Sequence, residues 1–202
     1  MPNIPYAIVF ISDDNTLAVT SGYSRNQSIT IIDMQKKQIK KTISLYSSSY
    51  GITLKEKNML YSAGNKGIRM INPFDGSIRD IVREKLPDAC YLATLKDNVY
   101  HTNWGTNTVT CYNLQGKIQW TFLNRNVLKN PLGIDVDSDG NVYVVGFSSN
   151  NVVVISPDGQ RHKEVLTAGD GLKSPSSLHY CRSMHQLLVA NFLSTIFLFS
   201  LN

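Results

Sequence analysis

Cysteine, histidine and long apolar runs are all in short supply here, and each shortage removes a class of protein. Cys90, Cys111 and Cys181 form an odd, widely spaced set with no CxxC pair. A disulfide framework and a cysteine zinc site are therefore not expected, and the thiols read as buried groups in a reducing compartment. The four histidines, His101, His162, His179 and His185, have no HxxxH or HxH spacing. No Ser/His/Asp or Cys/His arrangement stands out, and no glycine-rich phosphate loop is present. No run approaches the length that crosses a bilayer, Ile196–Leu201 being far too short. The N-terminus lacks a basic region followed by a long apolar segment, so no secretory signal is expected. A cytoplasmic location, no membrane and no cofactor follow as expectations. Charged residues make up only 17% of the chain, with a net charge of +5, which permits an anionic partner without demanding one. The apolar share of 42% is ordinary, so a packed core is feasible.

What the chain does have is a recurring pattern, clearest in PLGIDVDSDGNVYVVGFSSNNVVVISPDG from Pro131 to Gly159. Three short β-branched runs, Leu132–Val136, Val142–Val145 and Val152–Ile155, favour strands. Asp139-Gly140 between the first two predicts a tight hairpin, because such turns need positive φ. Pro157-Asp158-Gly159 turns the chain back after the third. Asn98–Gly116 aligns without a gap on Asn141–Gly159, so Trp104 and Val109 match Phe147 and Val152. The second-strand positions Leu17, Leu60, Tyr100, Tyr143 and Leu188 recur about every 40 to 45 residues, the spacing of four-stranded propeller blades. The repeats open alike, at Pro5-x-Ala7-Ile8, Ser49-x-Gly51-Ile52, Pro87-x-Ala89-Cys90, Pro131-x-Gly133-Ile134 and Pro175-x-Ser177-Leu178. A small residue is required there if inner strands converge and backbones approach closely.

The expected fold is all-β: one propeller domain over residues 1–202, of about five four-stranded blades at about 5–46, 47–85, 86–128, 129–173 and 174–202. The fifth repeat offers only Leu178–Cys181, Leu187–Ala190 and Ile196–Leu201. Propellers usually close by letting one terminus complete the other's blade, which fits a chain that is an incomplete part of a six-bladed ring. In repeat one, the strand Gln38–Leu45 mixes lysines with apolar residues, as an edge strand does. Lys36, Lys37, Lys40 and Lys41 cluster around its hairpin, as a solvated rim or as a phosphate-binding patch.

The wording of Pro131–Val144, followed by an Asn-rich loop, an apolar strand and a PDG turn, resembles NHL repeats, and the chain looks most like the C-terminal propeller of tripartite-motif (TRIM-NHL) proteins. The resemblance implies a non-catalytic recognition module that binds a protein partner or single-stranded RNA through one propeller face. It also implies RING, B-box and coiled-coil domains upstream in the parent protein, with ubiquitin-ligase activity resting on that RING. The sequence shown has no RING or B-box zinc spacing. The alternative is an NHL-related propeller enzyme, a metal-dependent lyase or lactonase. Family repeats often carry an Asp after the second strand and an Arg leading the third, where repeat four has Gly146 and Val152.

The candidate binding residues are Tyr23, Arg25, Lys66, Arg69, Trp104, Arg125, Lys129 and Lys173. Aromatics after the second strands, Tyr23, Trp104, Phe147 and Phe192, alternate with bases between repeats, including Lys85. Such a mixture grips single-stranded RNA by stacking and phosphate contact, or a protein by aromatic and arginine anchors. Packing between blades is the competing role for Trp104, Phe147 and Phe192, and the favoured one for the two phenylalanines. Asp135, Asp137 and Asp139 begin a calcium-loop pattern with Gly140, but its twelfth position is Gly146, which carries no ligand. A polar hairpin turn explains them equally well.

Overall fold

The structure, a computed structural model, describes residues 5–22, 26–192 and 195–200. It comprises two compact units, Met1–Leu92 and Ala93–Asn202. In the first, β1 (Ile8–Ile11), β2 (Thr16–Thr20), β3 (Ser28–Asp33) and β4 (Gln38–Ser44) form one antiparallel sheet in chain order. β5 (Ile52–Lys55), β6 (Asn58–Ser62), β7 (Ile68–Ile71) and β8 (Ile78–Val82) form a second. The second unit carries three sheets. They are β9 (Leu92–Leu95) to β12 (Ile118–Leu123) through β10 (Asn98–Asn103) and β11 (Thr108–Asn113); β13 (Pro131–Val136), β14 (Val142–Gly146), β15 (Asn151–Ile155) and β16 (His162–Leu166); and β17 (Pro175–Cys181), β18 (Gln186–Asn191) and β19 (Ile196–Ser200). Four sheets thus have four strands and the last, among the described residues, has three.

Burial explains why these meanders stack. All of β14 is buried, as are most positions of β6, β10, β11 and β15, whereas β12 and β16 are largely exposed. A middle strand buried on both faces needs a sheet on each side, and the apolar layers between sheets supply the main driving force. In the first unit Ala18, Ile29, Ile31, Ile43 and Leu45 pack on Ile52, Met59, Tyr61, Ala63 and Ile71. In the second, Tyr143, Val145, Val152 and Leu166 pack on Tyr180, Leu187 and Val189. Tyr143 and Tyr180 stack at a centroid distance of 5.0 Å and an interplanar angle of 14°.

The small residues at repeat starts sit where sheets approach most closely. A Cβ on Gly51 would lie 2.4 Å from the Cys90 carbonyl, and one on Gly133 would lie 2.7 Å from the Ser177 Cα. Ala89, in contrast, has φ +61°, so the third sheet's inner strand starts at Leu92 rather than at Cys90. The Cys90 carbonyl accepts the Gly51 N–H at 2.8 Å instead. The Asp139-Gly140 hairpin is also longer than a two-residue turn. Asp137 N–H donates to the Asn141 carbonyl at 3.1 Å, leaving a three-residue loop that ends on Gly140 at φ +91°. That is a turn whose left-handed residue makes a bulge, a common hairpin solution.

Gly133→Ala is expected to destabilise the chain by about 1–3 kcal/mol through overpacking against Ser177. Gly105→Ala, whose added methyl meets only the Asn103 side-chain oxygen at 3.6 Å, is expected to cost less than about 0.5 kcal/mol. Urea midpoints at unchanged slope measure both; equal midpoints would remove the close-approach explanation.

Candidate functional site

Four of the eight candidate residues lie on the loops at one end of the second unit's sheets. Trp104 follows β10, Arg125 and Lys129 precede β13, and Lys173 precedes β17. Trp104 is 44% exposed, and the three bases are exposed. Side chains from the neighbouring loop hold these loops in place. Asn130 N–H donates to Asn107 Oδ1 at 2.7 Å, Asn130 Nδ2 to the Trp104 carbonyl at 3.1 Å, and Ser148 Oγ to Asn130 Oδ1 at 2.7 Å. Lys129 N–H donates to Ser149 Oγ at 3.1 Å. One sheet further on, Ser174 N–H donates to Asn150 Oδ1 at 2.7 Å and Lys173 N–H to Asn191 Oδ1 at 3.0 Å. Asn151 Nδ2 reaches the Val127 carbonyl at 2.8 Å, and Asn191 Nδ2 reaches the Gly171 carbonyl at 3.1 Å. Each loop after a second strand thus clamps the connection that enters its own sheet or the next.

Asparagine suits the task because it tolerates left-handed backbone and carries both donor and acceptor. Asn107, Asn130 and Asn150 all have φ between 49° and 60°. These asparagines are absent from the sequence-based candidates. The signal was there, in the equal placing of Asn107 and Asn150 within the aligned repeats, but Asn-rich loops read as mere punctuation. Phe147 and Phe192 meet edge to face at 6.0 Å, yet Phe192 remains 56% exposed. The packing role therefore accounts for only part of that ring.

The remaining candidates fall elsewhere. Lys66 is exposed on a short 3-10 turn, Gly64–Lys66, of the first unit. Arg69, on β7, is ion-paired to Asp80 on β8 at 2.9 Å, so its charge is engaged within its own sheet. Tyr23 and Arg25 lie outside the described residues. Asp137 closes its hairpin: Oδ1 accepts from the Asp139 and Asn141 N–H groups at 3.0 and 2.9 Å, and Oδ2 accepts from Asn141 Nδ2 at 2.9 Å. Asp135 Oδ2 accepts the Tyr180 N–H at 2.9 Å and lies 3.0 Å from His179 Nδ1. The calcium-pattern carboxylates Asp135 and Asp137 are thus occupied by protein donors. Among the described residues, no three His, Cys, Asp or Glu side chains come together as metal ligands would.

No family model matches this sequence, and no curated protein matches it either. Solved structures do match its fold. Selenomethionine-substituted virginiamycin B lyase from Staphylococcus aureus is similar over 100% of this chain and 71% of its own, with a TM-score of 0.71 and 18% identity. A chain of a nidogen/laminin complex is similar over 87% of this chain and 70% of its own, with a TM-score of 0.71 and 17% identity. The fold is a β-propeller. At these identities the likeness carries architecture alone, and the chemistry has to be read from this chain's residues.

The propeller's titratable groups separate by environment. Burial pushes the Cys90 and Cys111 thiols up to about 12, which leaves them protonated and unreactive. His101 is buried, and burial lowers its pKa to about 4. His179 moves the other way, raised by its hydrogen bond to Asp135. A depressed histidine binds its proton more readily when unfolded, so its contribution to stability is present above about pH 6.5 and lost as pH falls toward 4. The raised His179 stabilises below about pH 6.5, and that contribution is lost as pH rises through its folded value. In an NMR titration the His101 ring is expected to stay neutral down to about pH 4, and His179 to titrate above its ordinary value of 6.5. Asp135→Asn is expected to bring His179 down without moving His101. A His179 midpoint unmoved by that substitution would remove the pairing.

Proposed function

We propose that this chain is a non-catalytic recognition module that takes a protein partner on the loop end of its second unit. The observation that carries the reading is the set of asparagine-clamped loops that presents Trp104 and Phe192 beside Arg125, Lys129 and Lys173. Loops already fixed lose little entropy on binding, and exposed aromatic rings with arginine are the side chains that anchor protein interfaces. The nidogen/laminin neighbour is itself part of a protein complex. RNA is the less favoured ligand. Stacking successive bases needs several free ring faces, whereas Phe147 and Phe192 engage each other.

The repeat wording supports an NHL-type assignment within a tripartite-motif-like parent protein, in which ligase chemistry belongs to an upstream RING domain. Two buried free thiols support a reducing, cytoplasmic setting. A lyase reading draws on the Staphylococcus aureus neighbour and would centre on His179 beside Asp135.

A photo-crosslinking residue placed at Trp104 is expected to yield protein adducts that survive RNase. Combining Lys129→Glu with Phe192→Ser should reduce them at least about fivefold, the loss of one interface anchor. Binding should fall only mildly as salt rises, unlike phosphate-driven RNA binding. Adducts that vanish with RNase would transfer the reading to RNA, and adducts indifferent to the double substitution would overturn the site.

A further inference from the structure

The first unit holds a cleft between its two sheets, lined by none of the residues of the recognition surface proposed above. Its volume is about 410 Å³, within the range of pockets that hold small organic ligands. Ile11, Ile31 and Leu54 supply apolar wall, and Pro73 and Phe74 overhang it from the β7–β8 turn. Phe74 is 70% exposed, a large apolar ring with nothing over most of its surface. Thr16 also lines the cleft and is only 1% exposed, yet its Oγ1 has no hydrogen-bond partner among the described residues. A buried hydroxyl left unpaired costs about 1–3 kcal/mol unless something satisfies it.

The charges at the mouth are asymmetric once their pairings are followed. Asp14 is held by Lys40 at 3.2 Å, and Glu56 by Lys55 at 3.3 Å. Lys41 makes no close ion pair among the described residues, although the Asp75 carboxylate feels its charge. Its Nζ donates to the Pro73 and Phe74 carbonyls at 2.7 and 3.2 Å, which uses two of its three hydrogens. Lys57, also at the mouth, has no ion-pair partner among the described residues. Asp13 is left as the unpaired acid. Two ammonium groups without a salt bridge, Lys41 and Lys57, therefore stand at the mouth with Asp13, and Asp75 lies within electrostatic range of Lys41.

Lys40 and Lys41 are sequence neighbours, and on a regular strand they would project to opposite faces. A bulge brings both to the cleft: Ile31 pairs with Lys41 and Ile32 with Ile39, which leaves Lys40 as the extra residue. The other four-stranded sheets bulge at their outer strands too; in the first sheet the bulge falls between two lysines.

We propose that this cleft binds a small amphipathic organic anion. An aromatic or short aliphatic body would lie on Ile31 and Leu54 under Phe74, and a carboxylate would face the third hydrogen of Lys41 and the Lys57 ammonium. The basic cluster of repeat one then divides. Lys41 is a ligand contact, Lys40 holds Asp14 out of the way, and Lys36 and Lys37 remain exposed on the hairpin. This proposal is independent of the protein-recognition reading, which concerns other residues in the other unit.

The test uses 2-naphthoate and its neutral isostere 2-naphthamide with the whole chain, followed by methyl NMR and calorimetry. 2-Naphthoate is expected to saturate with shifts at Ile31 and Leu54. 2-Naphthamide is expected to bind about tenfold more weakly, the value of one charge-assisted hydrogen bond. Lys41→Met should reduce naphthoate to the amide's level and leave the amide unchanged. Leu54→Trp should fill the cleft and abolish both, and Lys57→Met, at an exposed position, should weaken naphthoate and leave the amide unchanged. No saturation by naphthoate at 1 mM (about the weak limit for a specific site), equal binding of acid and amide, or shifts confined to residues outside the cleft would each overturn the proposal.

Discussion

A four-stranded antiparallel sheet whose middle strands are apolar on both sides has no stable existence alone. That constraint organises everything else in this protein. Val142, Val144 and Val145 on β14 are wholly buried, and only a sheet on either side achieves this for a strand whose side chains alternate in direction. Stacking of sheets in turn dictates where small residues must stand. Gly133 abuts Ser177 and Gly51 abuts Cys90 and Tyr91 because inner strands of successive sheets come closest at their starts.

The same stacking produces two kinds of opening that the sheets do not fill. At the loop end of the second unit, each connection is clamped by a neighbour's asparagine or serine, which converts irregular chain into a fixed surface. In the first unit, two sheets splay below their apolar layer, and the outer-strand bulge lines the gap with lysines. The first is suited to a large partner gripped by exposed rings and bases. The second is a pocket with an apolar wall and a charged mouth. Rigid sheets carry both, and the variable loops carry the specificity.

Much of the architecture was legible because its signals are local. The β-branched runs, the Asp-Gly and Pro-Asp-Gly turns and the recurring small residue each act within a few residues of themselves. They placed nearly every strand to within two residues, and the three strands that the last sheet has among the described residues as well. The misreadings share a cause. Ala89 looked like its counterparts Gly51 and Gly133, yet its positive φ delays the strand to Leu92, and that depends on how Cys90 meets Gly51. The Asp139-Gly140 hairpin was lengthened by Asp137, whose carboxylate gathers three donors across the turn. Arg69 looked like a free base, but Asp80 lies opposite it on the next strand.

The chain's sequence determined its secondary elements, their antiparallel order and the repeat that makes the sheets alike, since alternation and turn conformation are properties of adjacent residues. Tertiary structure alone decided which bases are free and which are spent, which asparagines clamp which connection, and that Thr16, Lys41 and Phe74 share one cleft. Those pairings join residues tens of positions apart, and their geometry follows from how one sheet registers on the next, a quantity that no local pattern encodes.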